Sequence, residues 1–210
     1  MTDTEQYYDE YWRRDRPSPL EDTLAPERLR ILRHWLGPDV EGWRALDAGA
    51  GGGDTVAALT ALGIDVSGMD VSSEATELAT KRNPGLPFFT HSVEEPPWPV
   101  EPGSLDLVVT FEVIEHLLRP RRLLEGAAHA LRPGGRLALT TPYHGLAKNL
   151  ALAVAAFDRH FAVEGDHIRF FSDRALRQLA EEEGFRVERI VHYGRRSPFS
   201  AGSFLCGIRR

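Results

Sequence analysis

Four glycines within five residues, Gly49, Gly51, Gly52 and Gly53, separate two segments of different period. Before them, Arg44 to Ala48 is a short apolar run of strand length. After them, Asp54 to Leu62 carries its apolar residues at helical spacing. A strand that passes through glycines into a helix makes a sharp turn, and without Cβ atoms a ligand can approach its backbone. The helix start beyond it would supply unpaired N–H donors. The next run, Ile64 to Met69, reads as a second strand, and Asp70 stands at its end. This strand–turn–helix–strand unit restricts the chain to folds with a parallel sheet.

The rest of the sequence keeps the alternation. Helices are predicted from Pro26 to Leu36, from Ser73 to Arg82 and from Arg119 to Leu131, the last stopped by Pro133-Gly134-Gly135. Two more run from Leu146 to Phe161 and from a Ser172 cap through Glu183. Strands are predicted at Phe88 to Ser92, Leu105 to Thr110, Arg136 to Thr141, Val187 to His192 and Ser203 to Ile208. The last two have no helix between them and should pair as an antiparallel hairpin. The expected fold class is therefore α/β, a mostly parallel seven-stranded sheet with helices on both faces and a C-terminal antiparallel hairpin.

Two cofactor classes use a glycine turn of this kind. The dinucleotide fingerprint places a third glycine where this chain has Asp54, whose charge would oppose a pyrophosphate. The spacing that fits is acid-x-Gly-x-Gly-x-Gly: Asp47, Gly49, Gly51, Gly53. This segment resembles the glycine motif of class I S-adenosylmethionine-dependent methyltransferases. The resemblance continues in DLVVTFEVIEHL from Asp106, in LRPGGRLALTTP from Leu131 and in FSDRALRQLAEEEGF from Phe171. It implies a Rossmann-like, doubly wound domain over residues 43–210, with residues 1–42 as an N-terminal helical cap segment and an acceptor-pocket insertion at about 142–166. It also implies S-adenosyl-L-methionine as cofactor, held by Asp47, Gly49, Ala50, Gly51 and Gly53, by Asp70 and Val71, and by Phe111. Asp70 would accept the ribose hydroxyls. Ser92 and Val93 fall at the adenine position, with Ser92 where the family commonly has an acid.

The chemistry is expected at Glu112-Val113-Ile114-Glu115-His116. In a helix, Glu112, Glu115 and His116 would share one face at i, i+3 and i+4. His116 is the candidate general base, because imidazole titrates near neutrality, and Glu115 is its candidate catalytic neighbour. The same segment resembles one in ubiquinone-biosynthesis O-methyltransferases and in small-RNA 2′-O-methyltransferases. For the RNA enzymes that resemblance implies a divalent ion, which here would be held by Glu112, Glu115, His116 and His167. The metal is an alternative to the first reading, in which none is used.

The expected activity is methyl transfer, to oxygen before nitrogen, on a small-molecule acceptor of aromatic or lipophilic character. Two alternatives are an RNA-end 2′-O-methyltransferase that uses the metal, and a non-catalytic cofactor-binding module. The net charge of −6 argues against a nucleic-acid partner. One cysteine, Cys206, excludes an intrachain disulfide and a cysteine-based zinc cluster. The N-terminus is polar and acidic, unlike a signal peptide, and the longest apolar stretch, Leu150 to Phe157, falls short of the ~20 residues of a membrane span. These features lead to an expected cytoplasmic location. The resemblance implies that Tyr7, Tyr8, Tyr11 and Trp12 close over the cofactor, the alternative being a partly ordered tail. The acceptor pocket is expected from the N-terminal segment and from the segment containing Tyr143, His144, Phe157, His160 and Asp166. The helix in that segment reads equally well as packed against the core or as a lid.

Overall fold

The computed structural model describes residues 3–14, 23–155, 167–194 and 199–210. Its elements are α1 (Asp3–Arg14), α2 (Ala25–Leu36), β1 (Arg44–Ala48), α3 (Asp54–Thr60), β2 (Asp65–Asp70), α4 (Ser73–Arg82), β3 (Phe88–Thr90) and β4 (Leu105–Phe111). A 3-10 turn at Ile114–His116 follows, then α5 (Pro120–Ala130), β5 (Leu131–Pro142), α6 (Leu146–Ala155), α7 (Asp173–Glu182), β6 (Phe185–Tyr193) and β7 (Gly202–Arg209).

The seven strands form one sheet in the order β3-β2-β1-β4-β5-β7-β6. The pairs from β3 to β5 are parallel, and β7 lies antiparallel between β5 and β6. Alternation along the strands divides the core between the two faces. Leu46, Ala48, Val108, Leu137 and Leu139 pack with Leu123, Leu124 and Ala127 of α5 and with Leu176 of α7. Ala45, Val66, Leu107, Val109 and Ala138 pack with Ile31, Leu32 and Leu36 of α2 and with Val56 and Leu59 of α3. The expected sheet and its terminal hairpin are thus present. Strand order reverses between β1 and β4, which opens a crevice at their carboxyl ends.

Some boundaries differ from expectation. The Pro133-Gly134-Gly135 turn does not precede β5 but lies within it. Leu105 pairs with Leu131 and Leu107 with Arg136, so residues 132–135 bulge from the ladder. Gly134 takes φ +78 there. Helix α6 places none of its residues in the core: Leu146, Leu150 and Val154 are 86%, 63% and 82% exposed. The core-packing reading therefore fails for its described part. Phe157, His160 and Asp166 lie outside the described residues. Among the described residues no helix is long and apolar enough to cross a membrane.

Candidate active site

The crevice between β1 and β4 is a cleft enclosing about 870 Å³, its open mouth included. The glycine turn forms its floor. Gly49 and Gly51 adopt φ +95 and +49, where a side chain is strained. A Cβ at Gly49 would lie 2.3 Å from Val113 Cγ2, and one at Gly51 would lie 3.0 Å from the Trp12 ring. The turn's own amides are engaged within the chain. Gly49 and Ala50 donate to Met69 O at 2.7 and 2.9 Å, and Gly51 donates to Asp70 Oδ2 at 2.9 Å. This leaves a pyrophosphate without those donors, while a cofactor that bears no phosphate does not need them.

Asp70 closes β2 inside the same cleft. Its Oδ1 accepts from the Ser72 amide at 3.0 Å. An ionised carboxylate has about four acceptor positions, so Asp70 retains acceptor capacity for a ribose hydroxyl. Burial pushes its pKa up, and the Ser72, Gly51 and Val71 amides work against that rise. Asp47, behind the turn, is 2% exposed. Burial and then the nearby Asp70 charge push its carboxyl up to about 8, with Arg28 opposing. Buried Arg28 lies 5.7 Å from the centroid of the Phe111 ring. Sequence reasoning missed it, because its position in α2 carries no motif.

Of the expected cofactor residues, Gly49, Gly51, Asp70, Val71, Ser92, Val93 and Phe111 line the cleft. Asp47, Ala50 and Gly53 are not among the residues that line it. A Cβ on Gly53 would meet Asn83 and Phe88 at 2.7 and 2.8 Å. The Ser92 hydroxyl accepts from the Glu94 amide at 3.2 Å, and Glu94 itself, not singled out from sequence, also lines the cleft. Helix α1 covers one side with Thr4, Tyr8, Tyr11 and Trp12, so the N-terminal aromatics do face the cleft, except Tyr7, which is 51% exposed.

The Glu112–His116 segment is not a helix that begins at Glu112. Glu112 has φ +56, which turns it away from the residues that follow. Its Oε1 accepts from Thr140 Oγ1 at 2.7 Å and from the Tyr193 hydroxyl at 2.8 Å. Burial, then the Glu112 charge and hydrogen bond, push the Tyr193 phenol far above its ordinary range. Glu112 therefore joins β5 and β6 to the end of β4 and does not share a face with Glu115 and His116. His116 lines the cleft, and its side chain is 15% exposed. Glu115 is fully buried beside it, with Oε1 3.9 Å from His116 Nε2.

His167 completes a smaller group. Its ring centre is 4.8 Å from that of His116, edge to face. One ligand atom from each of Glu115, His116 and His167 falls within 4.8 Å of the others. Glu115 O accepts from the Ile168 and Arg169 amides at 3.0 and 2.9 Å, which pins the chain after His167 to the acid motif. The donors are one carboxylate and two imidazoles, a set that suits a borderline divalent ion. Tyr143 and His144 follow β5 on the same edge of the sheet. Tyr143 packs on His192 at 4.3 Å and His144 on Phe170 at 4.8 Å.

Comparison with known proteins agrees with this geometry. A ubiquinone biosynthesis O-methyltransferase of Xanthomonas euvesicatoria pv. vesicatoria is 31% identical over 135 residues, 62% of this chain and 55% of that protein. The chain thus spans just over half the length of that relative. The protein of the same name from Thiobacillus denitrificans is 29% identical over 183 residues, 82% of this chain and 76% of its own. Among solved structures, magnesium protoporphyrin IX methyltransferase from Synechocystis with bound SAH superposes with a TM-score of 0.74. It is 18% identical and covers 99% of this chain and 98% of its own, a likeness of fold. The family described as a methyltransferase domain matches residues 12–190. With that match across most of the chain, and the acid-x-Gly-x-Gly-x-Gly turn facing Asp70, the chain belongs to the class I S-adenosylmethionine-dependent methyltransferases.

Proposed function

We propose that this protein transfers a methyl group from S-adenosylmethionine to an oxygen atom of a small-molecule acceptor, with His116 as the base. When bound, the cofactor supplies a methyl group already activated on a sulfonium sulfur. The chain's own part is to grip, orient, exclude water and take a proton. Asp70 grips the ribose through its free acceptor positions, and Gly49 and Gly51 permit close approach of the cofactor. Phe111 and α1 keep water from the reacting atoms. His116 takes the acceptor's hydroxyl proton on its imidazole. The observation that carries this reading is that His116 opens into the same cleft as Gly49, Gly51 and Asp70. The preference for oxygen draws on the O-methyltransferase names of the relatives. The exposed apolar residues Leu146, Leu150, Ile168 and Phe170 support an aromatic or lipophilic acceptor.

Transfer of labelled methyl to panels of phenols, sugars and RNA ends tests the reading. Activity on phenolic hydroxyls is expected, and activity confined to RNA would overturn it. Calorimetry should show cofactor binding that is lost in Asp70→Ala. Equal binding by that variant would remove Asp70 from the site.

A second reading rests on the grouping of Glu115, His116 and His167. These residues would hold a divalent cation, which would lower the pKa of the acceptor hydroxyl. Activity that survives exhaustive EDTA treatment would refute it.

A further inference from the structure

Among the ties of helix α1 to the domain is a buried carboxylate, Asp9, held by the first turn of α4. Asp9 is 4% exposed. Its Oδ1 accepts from Ser72 Oγ at 2.6 Å and from the Glu74 amide at 3.3 Å, and its Oδ2 accepts from Ser73 Oγ at 3.2 Å. All three donors belong to the first turn of α4, where the helix dipole favours a negative charge. Burial alone would raise the Asp9 carboxyl. The bonds from Ser72, Glu74 and Ser73, together with the Arg13 charge, outweigh burial and hold it below the ordinary aspartate range. A second tie, Arg13 to Glu74 at 2.8 Å, joins two solvent-accessible side chains and contributes little.

Ser72 serves both ends of the cleft. Its hydroxyl caps α4 by accepting from the Ala75 amide at 3.2 Å while donating to Asp9. Its amide donates to Asp70, the carboxylate that also holds Gly51. Three residues beyond Asp9, Trp12 lies against Gly51, and Tyr8 and Tyr11 also line the cleft. The anchor of α1 and the acid that faces the ribose therefore meet on one serine. Trp12 and the tyrosines stand along one side of the cleft, and α1 cannot swing away from it without breaking the bonds to Asp9.

We propose that Asp9 is a positioning residue that latches α1 as a roof over the cofactor, so that release of Asp9 from Ser72 gates entry of S-adenosylmethionine and exit of S-adenosylhomocysteine. This rests on the cofactor reading above. It adds that the exchange rate is set at a carboxylate that never touches the cofactor.

The test measures dissociation of S-adenosylhomocysteine by stopped flow from wild type, Asp9→Asn and Asp9→Ala, with thermal unfolding of each variant as a control. Asp9→Ala should release the ligand faster by on the order of tenfold, the loss of charge-assisted bonds. Asp9→Asn keeps an oxygen for Ser72 and should fall between. Amide hydrogen exchange on wild type provides a second measurement, in which bound S-adenosylhomocysteine should slow exchange along α1. A purely structural Asp9 would lower the unfolding temperature and leave the dissociation rate unchanged, which overturns the proposal. So does α1 exchange that ignores the ligand, even if the variants fail to fold. If wild type binds no S-adenosylhomocysteine at all, the cofactor reading itself falls.

Discussion

Asp47 permits a test of the buried carboxylates at the glycine turn. Burial and the Asp70 charge move its carboxyl from 3.8 to about 8. In the unfolded chain the group loses its proton near the ordinary value. In the native protein it keeps the proton up to about 8. Between these two values the native state binds more protons, so stability falls as pH rises, and above about 8 it levels off. The slope is roughly 1.4 kcal/mol per pH unit. Between the ordinary value and pH 7 the loss sums to ~4 kcal/mol. Asp47→Asn removes the titration and adds a constant offset from its buried amide, so the slope carries the information and the intercept does not. Urea unfolding of both proteins from pH 5 to pH 9 gives the difference in unfolding free energy. The variant should gain on the wild type steadily up to about pH 8, with no further gain beyond. A difference that does not change with pH would refute the assignment of a raised Asp47, and a difference of opposite slope would show that the carboxylate is stabilised in its charged form.

Three other perturbations test separate parts of the site. His116→Ala should reduce the rate of methyl transfer by about 10²–10⁴-fold with little change in cofactor affinity, read from steady-state kinetics beside calorimetry; unchanged turnover removes the base from the mechanism. Gly49→Ala places a Cβ 2.3 Å from Val113, whereas Gly85→Ala, at φ +89, meets nothing within 4 Å. Both carry backbone strain of ~1–2 kcal/mol, so the additional loss at Gly49 in urea unfolding, about 1–3 kcal/mol, measures the close approach of the turn to Val113. Tyr193→Phe removes one donor from Glu112 and should cost ~1–3 kcal/mol in thermal unfolding; in the wild type Tyr193 should show no phenolate absorbance at pH values where an exposed tyrosine ionises.

Period and spacing made much of this molecule readable. The βαβ alternation, the glycine turn and the acid seventeen residues beyond Gly53 are local signals, because each depends on neighbours within a turn or a strand. What failed to show in the sequence depends on partners far along the chain. Glu112 reads as the start of a helical face only when its neighbours are counted alone. In the fold it is captured by Thr140, 28 residues away, and by Tyr193, 81 residues away, and the backbone follows to φ +56. Pro133-Gly134-Gly135 reads as a stop, yet Leu131 before it already pairs with Leu105. Asp9 carries no motif and becomes legible only through Ser72, 63 residues later.

The separation of the two glutamates changes what the acid segment can do. Had Glu112 shared a face with Glu115 and His116, the cleft would present two carboxylates and an imidazole together. Instead Glu112 fastens the ends of β4, β5 and β6 to one another, and Glu115 sits fully buried beside the imidazole. Glu112 and His116 both line the cleft, but Oε1 of Glu112 is engaged by Thr140 and Tyr193, which makes His116 the proposed base. The second histidine near it, His167, comes from beyond α6 and is fixed by the amides of Ile168 and Arg169 on Glu115 O. The position of that imidazole therefore depends on the backbone of the acid motif as much as on its side chains. A substitution at Glu115 acts through the carboxylate alone and leaves those two amide bonds available, so Glu115→Gln should preserve the placement of His167 while changing the charge beside His116. Loss of activity in Glu115→Gln, with the His116–His167 contact retained in its structure, would assign the effect to charge and not to geometry.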